Sequence, residues 1–126
     1  MLYRLLRPDE QWKDGLRAKD PNSDVSVFNH VINGSSEGNN SKYIWTSRNL
    51  AAVNTFESKS TNPGQIVQIS ENDLRVIIID LTTQENRNNY YSSNYSDTLK
   101  FNNFPNFFQE VLLVGNVSAR NISLVT

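Results

Sequence analysis

The chain is built around residues 106–117, which read Asn106-Phe107-Phe108-Gln109-Glu110-Val111-Leu112-Leu113-Val114-Gly115-Asn116-Val117. An aromatic and polar segment leads here into an unbroken apolar run that ends at Gly115. The run contains β-branched residues and is too short for a helix, which predicts a strand buried on both faces. Glu110 stands at the mouth of this strand, where a partly desolvated carboxylate can stabilise positive charge that develops on a substrate. The alternative is a solvated glutamate at a junction between loop and strand.

Composition limits the kinds of site that the chain can hold. Its 126 residues predict one domain, residues 1–126, with one modest core. With 12 basic and 13 acidic residues, the net charge is close to zero and gives no overall electrostatic attraction to nucleic acid. A local basic patch is still compatible with this composition. Cysteine is absent and His30 is the single histidine, which excludes disulfides and thiolate catalysis and predicts no metal site. The N-terminus is too charged for a signal peptide and no window approaches a membrane span, so we expect a cytoplasmic protein with no membrane partner.

Hydrophobic periodicity predicts a mixture of short helices and strands. The predicted helices cover 8–14, 25–32 and 48–56, and the predicted strands cover 2–6, 42–47, 65–70, 75–81, 110–117 and 121–125. The strand at 75–81 is the most hydrophobic run, which predicts a central position in the sheet. Residues 82–105 show no steady period and predict a long loop that is functional or disordered.

Polar side chains on two of these strands are further candidates for a site. Arg4 lies on the first strand, where the alternative is a surface arginine on an edge strand. Thr46 and Ser47 end a strand just before a helix, and hydroxyls beside a helix start suit a phosphate or a ribose. The alternative for Ser47 is an N-cap of that helix. His30 lies beside the apolar stripe of its helix, a position more typical of a packed, hydrogen-bonded residue than of a catalyst.

Three sequence patterns occur in a characteristic order. They are Leu2-Tyr3-Arg4, then Tyr43-Ile44-Trp45-Thr46-Ser47 before a helix, then Gln109-Glu110 opening a strand that runs into Gly115-Asn116-Val117-Ser118-Ala119-Arg120-Asn121-Ile122. Between them stand Gly15-Leu16-Arg17-Ala18, His30-Val31 and Gly34-Ser35. Together these patterns resemble the Arg, Ser-Thr-Ser, Glu class of ADP-ribosyltransferase toxins, with the heat-labile enterotoxin type nearest. The likeness extends over almost the whole chain.

The resemblance implies a small α+β fold with two packed, mainly antiparallel β-sheets and short helices, which uses NAD as co-substrate. Arg4, with Tyr3 beside it, would grip a phosphate or ribose on the nicotinamide side of NAD. Thr46 and Ser47 would order the nicotinamide ribose and the glutamate. Glu110 would be the catalytic residue. The chemistry agrees with this assignment, because breaking the bond to nicotinamide builds positive charge that a carboxylate stabilises and a planar guanidinium binds oxyanions in two places.

Two positions depart from the family pattern. Trp45 occupies the first position of the Ser-Thr-Ser motif, where a hydroxyl is expected beside the glutamate. Phe108 stands two residues before Glu110, where members that modify arginine carry a second glutamate, so arginine modification is not expected. Phe107 and Phe108 belong to the loop that contacts the acceptor in such a fold. Because a phenylalanine can stack on a base, a nucleic-acid acceptor is among the alternatives.

The predicted function is that of a mono-ADP-ribosyltransferase acting as an intracellular toxin, either restrained by an antitoxin protein or taking part in phage defence. It would transfer ADP-ribose from NAD to a macromolecule, RNA, DNA or protein, and release nicotinamide. An effector injected by other machinery is a variant of this prediction. The alternatives are a catalytically inactive NAD-binding or interaction module of the same fold, simple NAD hydrolysis, and an unrelated β-rich interaction domain with an aromatic interface.

Overall fold

A six-stranded antiparallel β-sheet forms the centre of the computed structural model, which describes residues 1–33, 41–58, 64–90 and 98–125. The strands are β1 (Leu2–Leu5), β2 (Tyr43–Ser47), β3 (Ile66–Ile69), β4 (Ile77–Asp80), β5 (Glu110–Val114) and β6 (Ile122–Leu124). Their order across the sheet is β4-β5-β2-β1-β3-β6. The helices are α1 (Val27–Asn33), α2 (Leu50–Ser58), α3 (Gln84–Arg87) and α4 (Thr98–Phe108), with 3-10 turns at Trp12–Asp14, Asn88–Tyr90 and Ala119–Asn121. The predicted α+β class is confirmed.

Both faces of the sheet are buried along β5. Val111 and Leu113 point into one core cluster, whereas Leu112 between them points into a second cluster on the other face. Helices α1 and α4 cover the second face, where the rings of Phe28 and Phe101 lie 5.0 Å apart. The predicted strand buried on both faces is therefore confirmed, and it begins at Glu110.

The pairing between β1 and β2 is the weakest seam of the sheet. It consists of one register pair, Tyr3 with Ser47, whereas β1 pairs with β3 at four positions and β2 with β5 at five. This seam separates β4-β5-β2 from β1-β3-β6. The prediction of two packed sheets was wrong for the described part of the chain, because β1 hydrogen-bonds on both of its edges and joins the two halves into one sheet.

Strand β4 lies at an edge of the sheet and not in its centre. Its one partner in the described chain is β5, and Ile77 and Ile78 are 64% and 40% exposed. The prediction of a central strand at 75–81 was wrong, since hydrophobicity reports the composition of a strand and not its place in the strand order.

The segment before Glu110 is helical where the sequence predicted a loop. Thr83 caps α3 by accepting a hydrogen bond from the Asn86 N–H at 3.2 Å. Helix α4 then places Phe101, Pro105 and Phe108 at the i, i+4 and i+7 positions of one face. The asparagines between these residues obscure the helical period in the sequence. Pro105 has no backbone N–H to donate, so its presence also disfavours the prediction of a helix here. The part of the predicted loop at 91–97 lies outside the described residues, as does the Gly34-Ser35 element of the family resemblance.

The predicted helix at 8–14 is reduced to the 3-10 turn Trp12–Asp14. The turn ends at Gly15, whose φ of +83° is disfavoured for residues with a side chain. A Cβ atom at Gly15 would lie 2.6 Å from the carbonyl oxygen of Val117. Glycine is therefore required here both by its backbone conformation and by close packing.

Candidate functional site

Glu110 is a buried carboxyl group at the junction of α4 and β5. Its residue is 4% exposed, and burial raises the pKa of Glu110 to about 8, against the lowering effect of a hydrogen bond from the Trp45 side chain. Gln109, with a φ of +50°, links the end of α4 to the start of β5 in one step. The alternative of a solvated Glu110 is thus excluded by the structure.

Trp45 contacts Glu110 from the neighbouring strand. It is the register partner of Leu112, so Glu110, two residues earlier on β5, lies diagonally across from it on the same face. The indole N–H can donate and cannot accept, and hydrogen bonding from the Trp45 side chain lowers the pKa of Glu110. The indole also meets the ring of Phe108 edge-on, with centroids 5.9 Å apart. The residue that departs from the family motif is therefore in direct contact with the candidate catalytic carboxyl group.

Ser47 lies opposite Glu110 in the β2–β5 register. Its hydroxyl donates to the Phe108 carbonyl, and its Oγ accepts a hydrogen bond from the Asn49 N–H at 2.9 Å. The N-cap of α2 is Asn49, because its side-chain oxygen accepts from the Ala52 N–H at 3.3 Å. Ser47 instead ties the end of β2 to the end of α4, next to Glu110.

Thr46 is fully buried on the other side of β2. Its hydroxyl donates to the carbonyl oxygen of Val111 at 2.7 Å. In this arrangement Thr46 fastens β2 to β5, one residue after Glu110. Its predicted role towards the ribose stays a prediction.

Arg4 occupies the seam between β1 and β2. Its Nη1 donates to the Trp45 carbonyl oxygen at 2.8 Å, and its Nη2 donates to Oε1 of Glu10, also at 2.8 Å. The same Oε1 accepts from the Arg7 N–H at 2.8 Å. Arg4 is 6% exposed, and burial lowers the pKa of its guanidinium while the Glu10 carboxylate raises it. Arg4 is thus neither a surface arginine nor on an edge strand.

The ion pair of Arg4 and Glu10 leaves two buried atoms without a hydrogen-bond partner among the described residues. These are Nε of Arg4 and Oε2 of Glu10. A donor and an acceptor in this state carry the desolvation penalty of buried polar groups. Both atoms therefore retain unused hydrogen-bonding capacity.

The structure brings most of the predicted site residues together around Trp45. Tyr3 is half-buried and pairs with Ser47, Ser47 pairs with Glu110, and Arg4 reaches the Trp45 backbone. Within the described chain no hydrogen bond or ion pair joins Arg4 directly to Glu110. The two groups meet through Trp45.

Phe107 and Phe108 end helix α4 and do not form a loop, which corrects the acceptor loop expected from the sequence. Phe107 is 60% exposed, and its ring lies edge-on to that of Phe108 with centroids 4.9 Å apart. Since Phe108 contacts Trp45 and Trp45 contacts Glu110, a row of rings runs from the surface to the buried carboxyl group.

His30 is a packed residue, as expected. Its Nδ1 lies 2.7 Å from the Ser41 hydroxyl, and its ring meets Tyr43 edge-on at 5.3 Å. Burial, with a smaller effect of the Arg4 charge, lowers the pKa of His30 to about 4. The ring is therefore neutral at physiological pH.

Sequence reasoning missed Glu10 and underrated Trp45. Glu10 had a detectable signal, because an acid six residues after a buried cation is a natural candidate for its counter-ion. The sequence contains no corresponding signal for Trp45. Its proximity to Glu110 follows from the register of β2 against β5, which the sequence does not reveal.

The described ranges hold no group of three or more histidine or acidic residues that could bind a metal ion. They also hold no helix with the length and apolar character needed to cross a membrane.

Comparison of the chain with protein-family models, with curated proteins and with solved structures finds no significant match.

Proposed function

We propose that the protein is an NAD-dependent mono-ADP-ribosyltransferase with Glu110 as its catalytic residue. The observation that carries the proposal is the arrangement around Trp45: Arg4 donates to its backbone carbonyl, and Glu110 lies diagonally across from it on β5, opposite Ser47 in the strand register. These residues come from β1, β2 and β5, in the chain order of the Arg, Ser-Thr-Ser, Glu pattern. The proposal includes the fold of that family in a form whose six strands make one sheet, joined between β1 and β2 by a single register pair.

The chemistry asked of Glu110 is electrostatic. When the bond between ribose and nicotinamide breaks, positive charge develops on the ribose, and an ionised Glu110 held against a ribose hydroxyl stabilises it. Burial makes this interaction stronger than it would be in water, because the local dielectric is low. Nicotinamide leaves, the acceptor atom bonds to the ribose carbon, and the proton of the acceptor is released.

Arg4 would bind the diphosphate or ribose on the nicotinamide side. Its Nε is the unpartnered donor of a guanidinium whose two other nitrogens are already oriented by Trp45 and Glu10. A guanidinium fixed in this way loses little further rotational freedom when an oxyanion approaches. Because Arg4 is buried, this step requires the seam between β1 and β2 to open.

The acceptor would approach along the exposed ring of Phe107. Its exposure and its edge contact with Phe108 suit a planar acceptor group, such as a nucleobase or an aromatic side chain. For an intracellular toxin, a neutralising protein that covers Phe107 would block this approach. RNA, DNA and protein all stay open as acceptors.

The first experiment incubates the purified protein with NAD labelled in the adenylate, together with a cell lysate separated into protein, RNA and DNA. Glu110→Gln, which keeps the shape of the side chain, is compared with Glu85→Gln on the exposed face of α3. We expect label in one fraction with wild type and Glu85→Gln and none with Glu110→Gln. Full labelling by Glu110→Gln would refute the assignment of Glu110.

A second candidate function is that of an inactive NAD-binding module of the same fold. It is favoured by the closed state of Arg4 and by the raised pKa of Glu110, which leaves this carboxyl group largely protonated at pH 7. Saturable NAD binding without nicotinamide release would establish the module. Nicotinamide release without a labelled acceptor would instead indicate NAD hydrolysis.

A further inference from the structure

Trp45 makes three separate contacts at the centre of the candidate site. Its indole shares a face of the sheet with Glu110, which lies diagonally across the β2–β5 pair, its backbone carbonyl accepts from Nη1 of Arg4, and its ring packs edge-on against Phe108. The first two contacts connect Glu110 and Arg4, between which the described residues show no hydrogen bond or ion pair. Trp45 is therefore the physical link between the candidate catalytic carboxyl group and the candidate phosphate-binding cation.

We propose that Trp45 is a positioning residue that orients the Glu110 carboxyl group through its indole N–H and holds the Arg4 guanidinium through its carbonyl oxygen. This inference rests on the proposed function. It assigns to the Trp45 indole the role that the first hydroxyl of the Ser-Thr-Ser motif would have beside the glutamate. Trp45 acts through Glu110 and Arg4 and does not itself take part in the bond changes.

The strand pairing explains how an indole reaches this position. Trp45 pairs with Leu112, and a diagonal neighbour on the same face of an antiparallel pair lies roughly 7–8 Å away at Cα, within reach of a long aromatic side chain. A serine at the same position is too short to span this diagonal. Phe108 packs on the indole from the end of α4, which restricts rotation of the ring.

The indole also differs chemically from a hydroxyl. It can donate and cannot accept, so it stabilises the carboxylate form of Glu110 and offers nothing to a carboxyl proton. This opposes the effect of burial, which favours the protonated form. Burial and the indole are the two causes that act on the pKa of Glu110, and no charged side chain of the described residues contributes.

The test is Trp45→Phe, which keeps an aromatic ring and removes the N–H. The matched control is Trp12→Phe, because Trp12 is the other tryptophan of the chain and packs against the opposite core cluster. The side-chain carboxyl carbon of Glu110 is followed by NMR during a pH titration. We expect the midpoint for Trp45→Phe to rise by about half to one unit and that for Trp12→Phe to stay at the wild-type value.

Kinetics provide the second readout. Loss of orientation in Trp45→Phe should lower kcat for nicotinamide release by roughly 10- to 100-fold, with little change in the KM for NAD. It should also move the acidic limb of the pH profile upward with the Glu110 midpoint, because the reaction requires the ionised carboxylate. A residue that only fills space would change neither the titration nor the pH profile.

The outcomes separate this inference from the proposed function. Activity of wild type together with an unchanged Glu110 midpoint in Trp45→Phe would overturn the inference and leave the transferase proposal standing. A raised midpoint in a protein that never releases nicotinamide would refute the transferase proposal and limit Trp45 to orienting the carboxyl group. If Trp45→Phe fails to fold, the NMR chemical shift of the Trp45 indole N–H is followed in wild type during the same pH titration. The inference requires this shift to change with the midpoint of Glu110, and a shift that does not change would overturn it.

Discussion

Glu110→Gln should abolish a pH dependence of stability that the buried carboxyl group imposes. The pKa of Glu110 rises from 4.5 in the unfolded chain to about 8 in the folded protein. The folded state therefore holds a proton that the unfolded state has lost, and stability falls as pH rises through this interval, by about 1 kcal/mol per pH unit. Below pH 4.5 the stabilisation is fully present, and above about pH 8 it is lost.

His30 produces the opposite trend in part of this range. Its pKa falls from 6.5 to about 4 on folding, so its contribution is present above pH 6.5 and is lost as pH falls towards 4. The two trends cancel between pH 4.5 and 6.5. Of these two groups, Glu110 is the one that titrates between pH 6.5 and 8, where wild type should lose roughly 1–2 kcal/mol of its free energy of unfolding.

The assay is urea unfolding at intervals between pH 6.5 and 8, followed by tryptophan fluorescence. Wild type and Glu85→Gln should show the same decline, and Glu110→Gln should show a nearly level profile over the same range. An equal decline in Glu110→Gln and wild type would refute the reasoning, because the proton released on unfolding could not then come from Glu110.

Four further predictions follow from the described contacts. His30→Gln should leave the Glu110 trend uncompensated, so that its free energy of unfolding rises as pH falls from 6.5 to 4.5 where that of wild type stays level, which urea unfolding across this range would detect. Arg4→Met should destabilise by roughly 3–5 kcal/mol because it removes the 2.8 Å ion-pair partner of the buried Glu10 carboxylate, which keeps the Arg7 N–H and the more distant Arg7 guanidinium at 3.8 Å. A double-mutant cycle with Glu10→Gln should recover most of that loss, and full additivity would argue against the pair. Gly15→Ala should destabilise by roughly 1–3 kcal/mol in thermal unfolding, given its φ of +83° and the backbone oxygen 2.6 Å from the new Cβ. Ile77→Lys should change stability by less than about 0.5 kcal/mol, since this side chain is 64% exposed; a larger loss would mean that the edge strand is covered.

The parts of the fold that follow from local pattern were predictable. Strand β5 was evident because Glu110 precedes an apolar run that Gly115 ends, and such a run has few alternatives. Helix α4 was not, because Asn102, Asn103 and Asn106 dilute the period of its buried residues and Pro105 has no backbone N–H to donate. A helix of this kind forms because its apolar face packs on the sheet, and packing is a tertiary effect that local propensity does not contain.

The same limit applies to the candidate site. Glu110, Ser47 and Arg4 could be selected from the sequence, because their residue types and order suit the chemistry. Their common contact with Trp45 could not, because it depends on the register of β2 against β5 and on where β1 joins the sheet. One shift of register would place Trp45 on the opposite face from Glu110.

The seam between β1 and β2 also has a mechanical meaning. A pulling force perpendicular to the strands meets five register pairs between β2 and β5 but one pair, Tyr3 with Ser47, between β1 and β2. The sheet should therefore part first along this line, with the side chain of Arg4 as the last tie across it. In a single-molecule experiment with handles on β1 and β2, rupture should come at a lower force than with handles on β2 and β5.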